Sequence, residues 1–362
     1  RLEFGGVEAM LLNYVKHFRN PEKFEFHIIT QDINDINCIR QFKKYGFKVH
    51  IVTHKRKSIL KNVVEIYSIL KKEKFEIAHS HMTLTNFYVL FLAELTGTKV
   101  RISHAHSAFK TDGIKKKIIY PILKILNCIS ANVWMTCGYN AGVFLYGKTA
   151  MDSGKVQIMN NGIELNHFQY NENTRKKIRE KYQIGNAICI GHIGRFMAVK
   201  NHKFLISIFM EILKKKPDAK LLLVGDGELK EEIEELVQVY RIEKNVIFTG
   251  NVNNTNEFYQ ALDVFVLPSI YEGLPVVAIE AQAAGVPCLL STDIDRTCAV
   301  TSNVHFMSVK QNKEKWANQI LDMLKEDRDK SCIKELEKAG YSIELEARKL
   351  EDFYRDRSLL RK

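Results

Sequence analysis

Short apolar runs alternate along this chain with longer stretches in which apolar residues recur every three or four positions. In the first half the runs are 24–30, 48–53, 76–80, 99–104, 132–137 and 155–159. They are rich in Val and Ile and bounded by polar or turn residues, which predicts β-strands. Between them lie helical patterns such as 57–72, with Ile59, Leu60, Val63, Ile66, Tyr67 and Leu70 on one repeat. The second half repeats the scheme with runs at 187–193, 220–224, 245–249, 263–267, 286–290 and 303–308. Near-continuous apolar strands alternating with helices predict parallel sheets covered on both faces. Two such sets make an α/β protein of two doubly wound, Rossmann-like domains. The strand-free, polar stretch 164–186 marks their junction, and 341–359 reads as a closing helix. The chain opens RLEFGGVEAMLLNYV, with no strand ahead of the glycines. A doubly wound domain normally feeds such a loop from a strand, so a first strand is expected to be missing.

Length agrees with this layout, since 362 residues suit two domains. Hydrophobic residues at 46% exclude a disordered chain. No run approaches the roughly 18 apolar residues that a membrane-spanning helix needs. The seven cysteines are scattered, odd in number and form no CxxC, which points to reduced thiols in a cytosolic protein rather than a zinc site. Charge changes the picture more. Residues 1–170 hold 24 Lys+Arg against 13 Asp+Glu, whereas the remainder hold 30 against 29. The net charge of +12 therefore sits almost wholly in the first half, which suggests an anionic partner on that side.

Three motifs carry candidate chemistry. Gly5-Gly6-Val7-Glu8 precedes an apolar-periodic helix, whose free amides suit an anion, although a plain strand-to-helix turn reads the same way. Gly194-Arg195 and Lys200-Asn201 follow the strand ending near Ile193, where ligands of open α/β sheets bind. Arg offers a planar fork to phosphate and Lys a point charge, but a solvated basic loop has the same residues. The segment 268–281, PSIYEGLPVVAIEA, is the most informative. Pro275 suits the first turn of a helix, Gly273 permits close backbone approach, and Glu280 stands among apolar helical neighbours. A buried carboxylate needs partners, and vicinal hydroxyls can supply two.

Together these segments resemble the retaining GT-B glycosyltransferases of family 4, the glycosyl transferases group 1. The resemblance rests on the E-x7-E pair Glu272/Glu280 within PSIYEGLPVVAIEAQAAGVP and on GRFMAVKN at 194–201. VGDGEL at 224–229, IFTGNV at 247–252, NNGIELNHF at 160–168 and GGVE at 5–8 add to it, in order over nearly the whole chain. Within the family the chain is most similar to capsular and exopolysaccharide enzymes. The resemblance implies a GT-B fold with a cleft between an acceptor-side domain at 1–166 and a nucleotide-sugar domain at 167–340. The helix at 341–362 would cross back to the first domain. It implies that Arg195 and Lys200 neutralise the donor diphosphate, with Gly6 and Gly194 allowing close approach. Glu272, Gly273 and Leu274 would meet the transferred sugar, Glu280 the ribose, and Phe248 and Gly250 the base.

It also implies a histidine near the transferred sugar, assigned to His106 with His104 as the alternative, since a shift of register would exchange them. An H-x-H pair at a strand end can hold a metal, but no carboxylate is placed to complete a set, and His79 and His81 read in preference as structural. Asp293-Ile294-Asp295 reads as a surface turn, so neither a metal nor another cofactor is expected. The donor is a substrate, expected to be a UDP-sugar, and the acceptor a glycan or polyprenyl-linked sugar. Residues 110–128 combine Lys110, Lys115, Lys116, Lys117 and Lys124 with six Ile and Leu side chains. They suit either an anionic membrane surface at the inner face of the plasma membrane or a half-buried core helix. Charge alone suggests nucleic acid, but no recognition module supports it. A sugar-nucleotide epimerase and a non-catalytic glycan- or nucleotide-binding module remain as alternatives; the intact E-x7-E and Arg/Lys set argues against both.

Overall fold

The computed structural model describes residues 6–31, 36–107, 113–329 and 331–359. Gly5 and Lys110 lie outside the described residues, as does the side chain of Lys115. The chain divides into one unit of residues 1–163 with 342–362, and a second of residues 164–341. All twelve expected strands are present, each trimmed by a residue or more at one end or both except 220–224.

The second unit holds a six-stranded parallel sheet in the order β12-β11-β10-β7-β8-β9. These strands are β7 (Cys189–Ile193), β8 (Lys220–Val224), β9 (Val246–Phe248), β10 (Val264–Leu267), β11 (Cys288–Ser291) and β12 (Val304–Met307). Strands β7, β10 and β11 are buried at every position, because helices cover both faces. One contiguous core runs from Phe196, Leu205 and Phe209 through Leu221 and Val266 to the fully buried Trp316. The chain runs outward from β7 in one direction as far as β9. It then returns to β10, beside β7, and runs the other way. The carboxyl ends of β7 and β10 therefore flank the reversal, where no crossover helix covers the sheet edge and ligands of such folds bind.

The first unit is less uniform. Strands β1 (His27–Thr30) and β2 (Lys48–Ile51) form one parallel pair. Strands β3 (Ile77–Ser80), β4 (Val100–Ala105), β5 (Val133–Thr136) and β6 (Gln157–Ile158) form a separate parallel sheet. A cavity of about 1000 Å³ lies among β1, β3 and the closing helix, lined by Phe24, Phe26, Ile28, Ile77, His79 and Tyr354 among others. Strands β1 and β3 are accordingly only half-buried over most of their length, unlike the full burial that the sequence pattern predicts. The closing helix Ile343–Leu359 packs Ile343, Ala347 and Leu350 against Met10, Tyr14 and Ile102. The buried Glu351 fastens it by accepting from the backbone amides of Arg19 (2.7 Å) and Asn20 (3.1 Å).

Two details alter the reading of the sequence. The NNGIE motif is a structural joint of the first unit. Tyr14 Oη donates to the Asn160 carbonyl at 2.5 Å, Asn13 Nδ2 to that of Gly162 at 3.1 Å, and Gly162 abuts Ile343. The helix Ile114–Ser130, with Pro121 inside it, is half-buried: Tyr120, Leu123 and Cys128 pack on the first unit's core, and the opposite face is exposed. Ile118, Ile122, Ile125 and Ile129 form a stripe at helical spacing and are 54–70% exposed. All seven cysteines are free thiols. Among the described residues no helix is long and apolar enough to cross a membrane.

Glycines Gly225 and Gly227 hold the second unit's loops together. Gly225 has φ +137° and a Cβ there would lie 2.2 Å from the Gly194 carbonyl oxygen; at Gly227 it would lie 2.5 Å from that of Phe196. Only glycine adopts this backbone region readily. Gly225→Ala should therefore cost well over 1 kcal/mol in urea unfolding. Gly185→Ala, at φ +58° with open space around it, should cost about 1 kcal/mol. Equal losses in the two variants would contradict the close approach.

Candidate functional site

The loop after β7 begins at Gly194, whose amide donates to the Val224 carbonyl at 2.9 Å. The Phe196 amide donates to Asp226 at 2.9 Å, and the Gly225 amide to Gly250 at 3.0 Å. Gly250 takes φ +69° to make that turn. The motifs GRF, GDG and TGN are thus three adjacent turns at the carboxyl ends of β7, β8 and β9. Phe196 is buried at their centre, with Phe248 6.1 Å away on one side and His202 stacked at 4.2 Å on the other. A Cβ on Gly194 would come within 3.3 Å of the Lys200 side chain, so the glycine lets that lysine fold back over the loop.

Lys200 ends a short turn closed by Asn201 in the left-handed region, at φ +59°. Asn201 Nδ2 donates to the Pro268 carbonyl at 3.2 Å, and the Ile270 amide to that of Val199 at 2.8 Å. These bonds tie the loop after β7 to the loop after β10. They bring Lys200 Nζ to 2.9 Å from both carboxylate oxygens of Glu272. Both side chains are largely buried, at 13% and 14% exposure, so the pair is screened less than a surface ion pair. Ser269 Oγ donates to the same carboxylate. The two residues that the sequence assigns to separate tasks, phosphate and sugar, are therefore one hydrogen-bonded unit. Arg195, in the same loop, is exposed.

Glu272 is also held through its backbone, which pairs with Ile294, while the Asp295 amide donates to the Gly273 carbonyl at 3.3 Å. Asp295 is buried and caps the next turn, accepting from the Thr297 amide at 3.0 Å. Asp293 is exposed in a turn, as expected, whereas Asp295 is buried and braces the Glu272 loop from behind. Pro275 stands one residue ahead of the helix Val276–Ala283 rather than in its first turn. Leu274 precedes it and is half-buried.

Glu280 lies on that helix and receives Tyr259 Oη at 2.8 Å. Burial pushes its carboxyl up to about 7, against a smaller opposing effect of the tyrosine bond. Tyr259 escaped the sequence reading because it lies outside the motif that contains Glu280, and Ser269, inside the 268–281 motif, because nothing local pairs it with Glu272. The fully buried His192, whose Nδ1 lies 2.9 Å from the Val266 carbonyl, escaped it as one more apolar-run residue.

In the first unit, Gly6 opens the helix Gly6–Lys16. His104 and His106 are two residues apart, so they share a face and stack at 4.1 Å; depth separates them, not register. His104 is fully buried and His106 partly exposed. His79 and His81 pack on the same face, with His79 Nε2 3.0 Å from His104 Nδ1 and His81 Nδ1 2.8 Å from His106 Nε2. Burial, the largest effect at each, lowers His79 to about 3 and His106 to about 4, and depresses His81 and His104 as well. Four neutral imidazoles therefore line the carboxyl ends of β3 and β4. The β3–β4 register brings His79 and His81, for which the sequence favours a structural role, onto one face with His104 and His106.

This site, on a sheet with reversed strand order, is that of a glycosyltransferase. The profile of the family described as Glycosyl transferases group 1 matches residues 174–341. The chain is 30% identical over 348 residues to "Putative glycosyltransferase EpsF" of Bacillus subtilis (strain 168), covering 94% of this chain and 90% of that protein. It is 27% identical to the UDP-Gal:alpha-D-GlcNAc-diphosphoundecaprenol alpha-1,3-galactosyltransferase of Escherichia coli, covering 97% and 94% of the two chains. Among solved structures, Anabaena Alr3699/HepE in complex with UDP superposes with a TM-score of 0.73 at 15% identity, over 97% of this chain and 93% of that one. The chain belongs to the glycosyl transferases group 1 family and has the GT-B fold.

The buried carboxyl gives a signed prediction. An acid raised from 4.5 to about 7 on folding is protonated in both states below pH 4.5. As pH rises toward 7 the unfolded chain ionises first, so stability is lost across that window and stays lost above it. Glu280→Gln should nearly match the wild type at pH 4 and exceed it at pH 8 by at most about 3 kcal/mol in urea unfolding. A difference that does not change with pH would contradict the raised carboxyl.

Proposed function

We propose that this enzyme transfers a hexose-type sugar, with retention of configuration, from a UDP-sugar to a glycan or polyprenyl-linked acceptor in surface polysaccharide synthesis. The observation that carries the reading is the pairing of Lys200 with Glu272 at the strand-order reversal of the second unit, with Arg195 in the same loop as Lys200. Cations there suit a diphosphate, and the nearby carboxylate suits sugar hydroxyls. The polyprenyl-linked acceptor is favoured by the E. coli relative, whose name specifies one. The UDP donor is favoured by that same relative.

In this reading the donor diphosphate draws Lys200 away from Glu272, and the freed carboxylate accepts from the sugar. Glu280, once ionised, accepts from both ribose hydroxyls, while the turns at Phe248 and Gly250 meet the base. The acceptor oxygen forms its bond to the anomeric carbon on the face from which the phosphate leaves. Its proton passes to a leaving-phosphate oxygen. Arg195 and Lys200 stabilise the charge that develops on the β-phosphate, which is the main catalytic effect, and no metal is assigned to the diphosphate. His106, the more exposed histidine of its pair, would meet the transferred sugar from the first unit.

Glu272→Ala should lower kcat by about 10²–10³-fold with the fold retained, as read by circular dichroism. Transfer is read by mass detection against a panel of UDP- and GDP-sugars. Wild-type turnover in the variant, or no product from any donor with the wild type, would contradict the assignment.

The first unit is assigned to the acceptor side at the cytoplasmic face of an anionic membrane. The exposed isoleucine stripe of the helix Ile114–Ser130 supports this, with the exposed Lys116 and Lys117 at its start. Sedimentation with anionic vesicles should exceed that with neutral ones and fall with added salt. Replacing Ile118, Ile122, Ile125 and Ile129 by Ser should weaken it at least about tenfold. Equal binding to both vesicle types would remove the membrane assignment.

A further inference from the structure

We propose that His79, His81 and His104 form a binding site for one divalent first-row transition-metal ion, of the Zn²⁺ class, at the carboxyl ends of β3 and β4. One ring nitrogen of each lies within 4.8 Å of the others. The edge from His79 Nε2 to His104 Nδ1 is already 3.0 Å. Metal–imidazole bonds of about 2.0–2.1 Å in a tetrahedral set place nitrogens within roughly this range of one another. Small ring rotations would therefore convert a shared proton into a shared ion.

Two further observations point to a ligand. His104 is fully buried, and its Nδ1, which faces His79 Nε2, is the atom it would offer the ion. The outer partners are also in place. Tyr354 Oη lies 2.6 Å from His79 Nδ1, and His106 Nε2 lies 2.8 Å from His81 Nδ1. Such bonds fix the ring orientation of ligating histidines and leave the opposite nitrogen, Nε2, for the metal.

The donor set selects the ion. Three imidazoles with neither carboxylate nor thiolate suit zinc, nickel or copper and do not suit magnesium or calcium. Three protein ligands leave a coordination position open, and the cavity lined by His79 and His81 offers a way in. The ion would bind entirely within the first unit. It would join β3 to β4 and, through Tyr354, to the closing helix, and it is not a ligand of the donor diphosphate.

The test uses the whole chain, stripped with a chelator and dialysed against ZnCl₂. One equivalent should bind. His104→Asn and His79→Asn should each weaken binding at least about 100-fold, and Tyr354→Phe about tenfold. His305→Asn, at a surface histidine beside Glu326, should change nothing. Less than one equivalent in the wild type, or undiminished binding in both His104→Asn and His79→Asn, would overturn the proposal. Should those variants fail to fold, the Co²⁺ spectrum of the wild type decides. Intense visible bands of a tetrahedral nitrogen set support the site, and only the weak bands of hydrated octahedral Co²⁺ exclude it.

Discussion

The reversal of strand order between β7 and β10 is the constraint on which the donor-side chemistry depends. Crossover helices run away from this point in both directions, so the carboxyl ends of the two strands stay uncovered. Everything assigned to the donor site hangs from loops that start there. Arg195 and Lys200 leave β7, Ser269 and Glu272 leave β10, and two hydrogen bonds stitch the loops together through Asn201 and Ile270. A sheet with helices in any other order would bury one of these loops under a crossover.

The ion pair of Lys200 with Glu272 follows from that geometry and carries a functional consequence. Two largely buried groups of opposite charge neutralise each other. In the proposed function a diphosphate would offer Lys200 a stronger partner, and a sugar would offer Glu272 new donors. The exchange limits the desolvation cost of preparing both groups for the donor. Asp295, buried behind the loop, and Ser269 keep Glu272 in place while this happens. Glu280, held by Tyr259 in a low-dielectric setting, sits where only a ligand with hydroxyls repays its ionisation.

Much of this was legible in the sequence. Strands of Val and Ile between polar boundaries are read directly from local pattern, so all twelve were placed and the parallel α/β class followed. The Arg/Lys and E-x7-E residues were legible because each motif is local. What could not be read were pairings that depend on register and packing. The contact of Tyr259 with Glu280 spans 21 residues, and that of Lys200 with Glu272 spans 72. The histidine cluster needs β3 and β4 in one register, which no local signal encodes. The isoleucine stripe at 118–129 was ambiguous because a core helix and a surface helix share a pattern; only its exposure separates them. Composition called Asp295 a surface turn, and the loop it braces explains why it is buried.

The most direct measurement of the central claim is a crystal structure of the enzyme soaked with a UDP-sugar. We expect the diphosphate in contact with Arg195 and Lys200, the pair of Lys200 with Glu272 opened, and a sugar hydroxyl donating to Glu272. A diphosphate bound elsewhere, with that ion pair still closed, would contradict it.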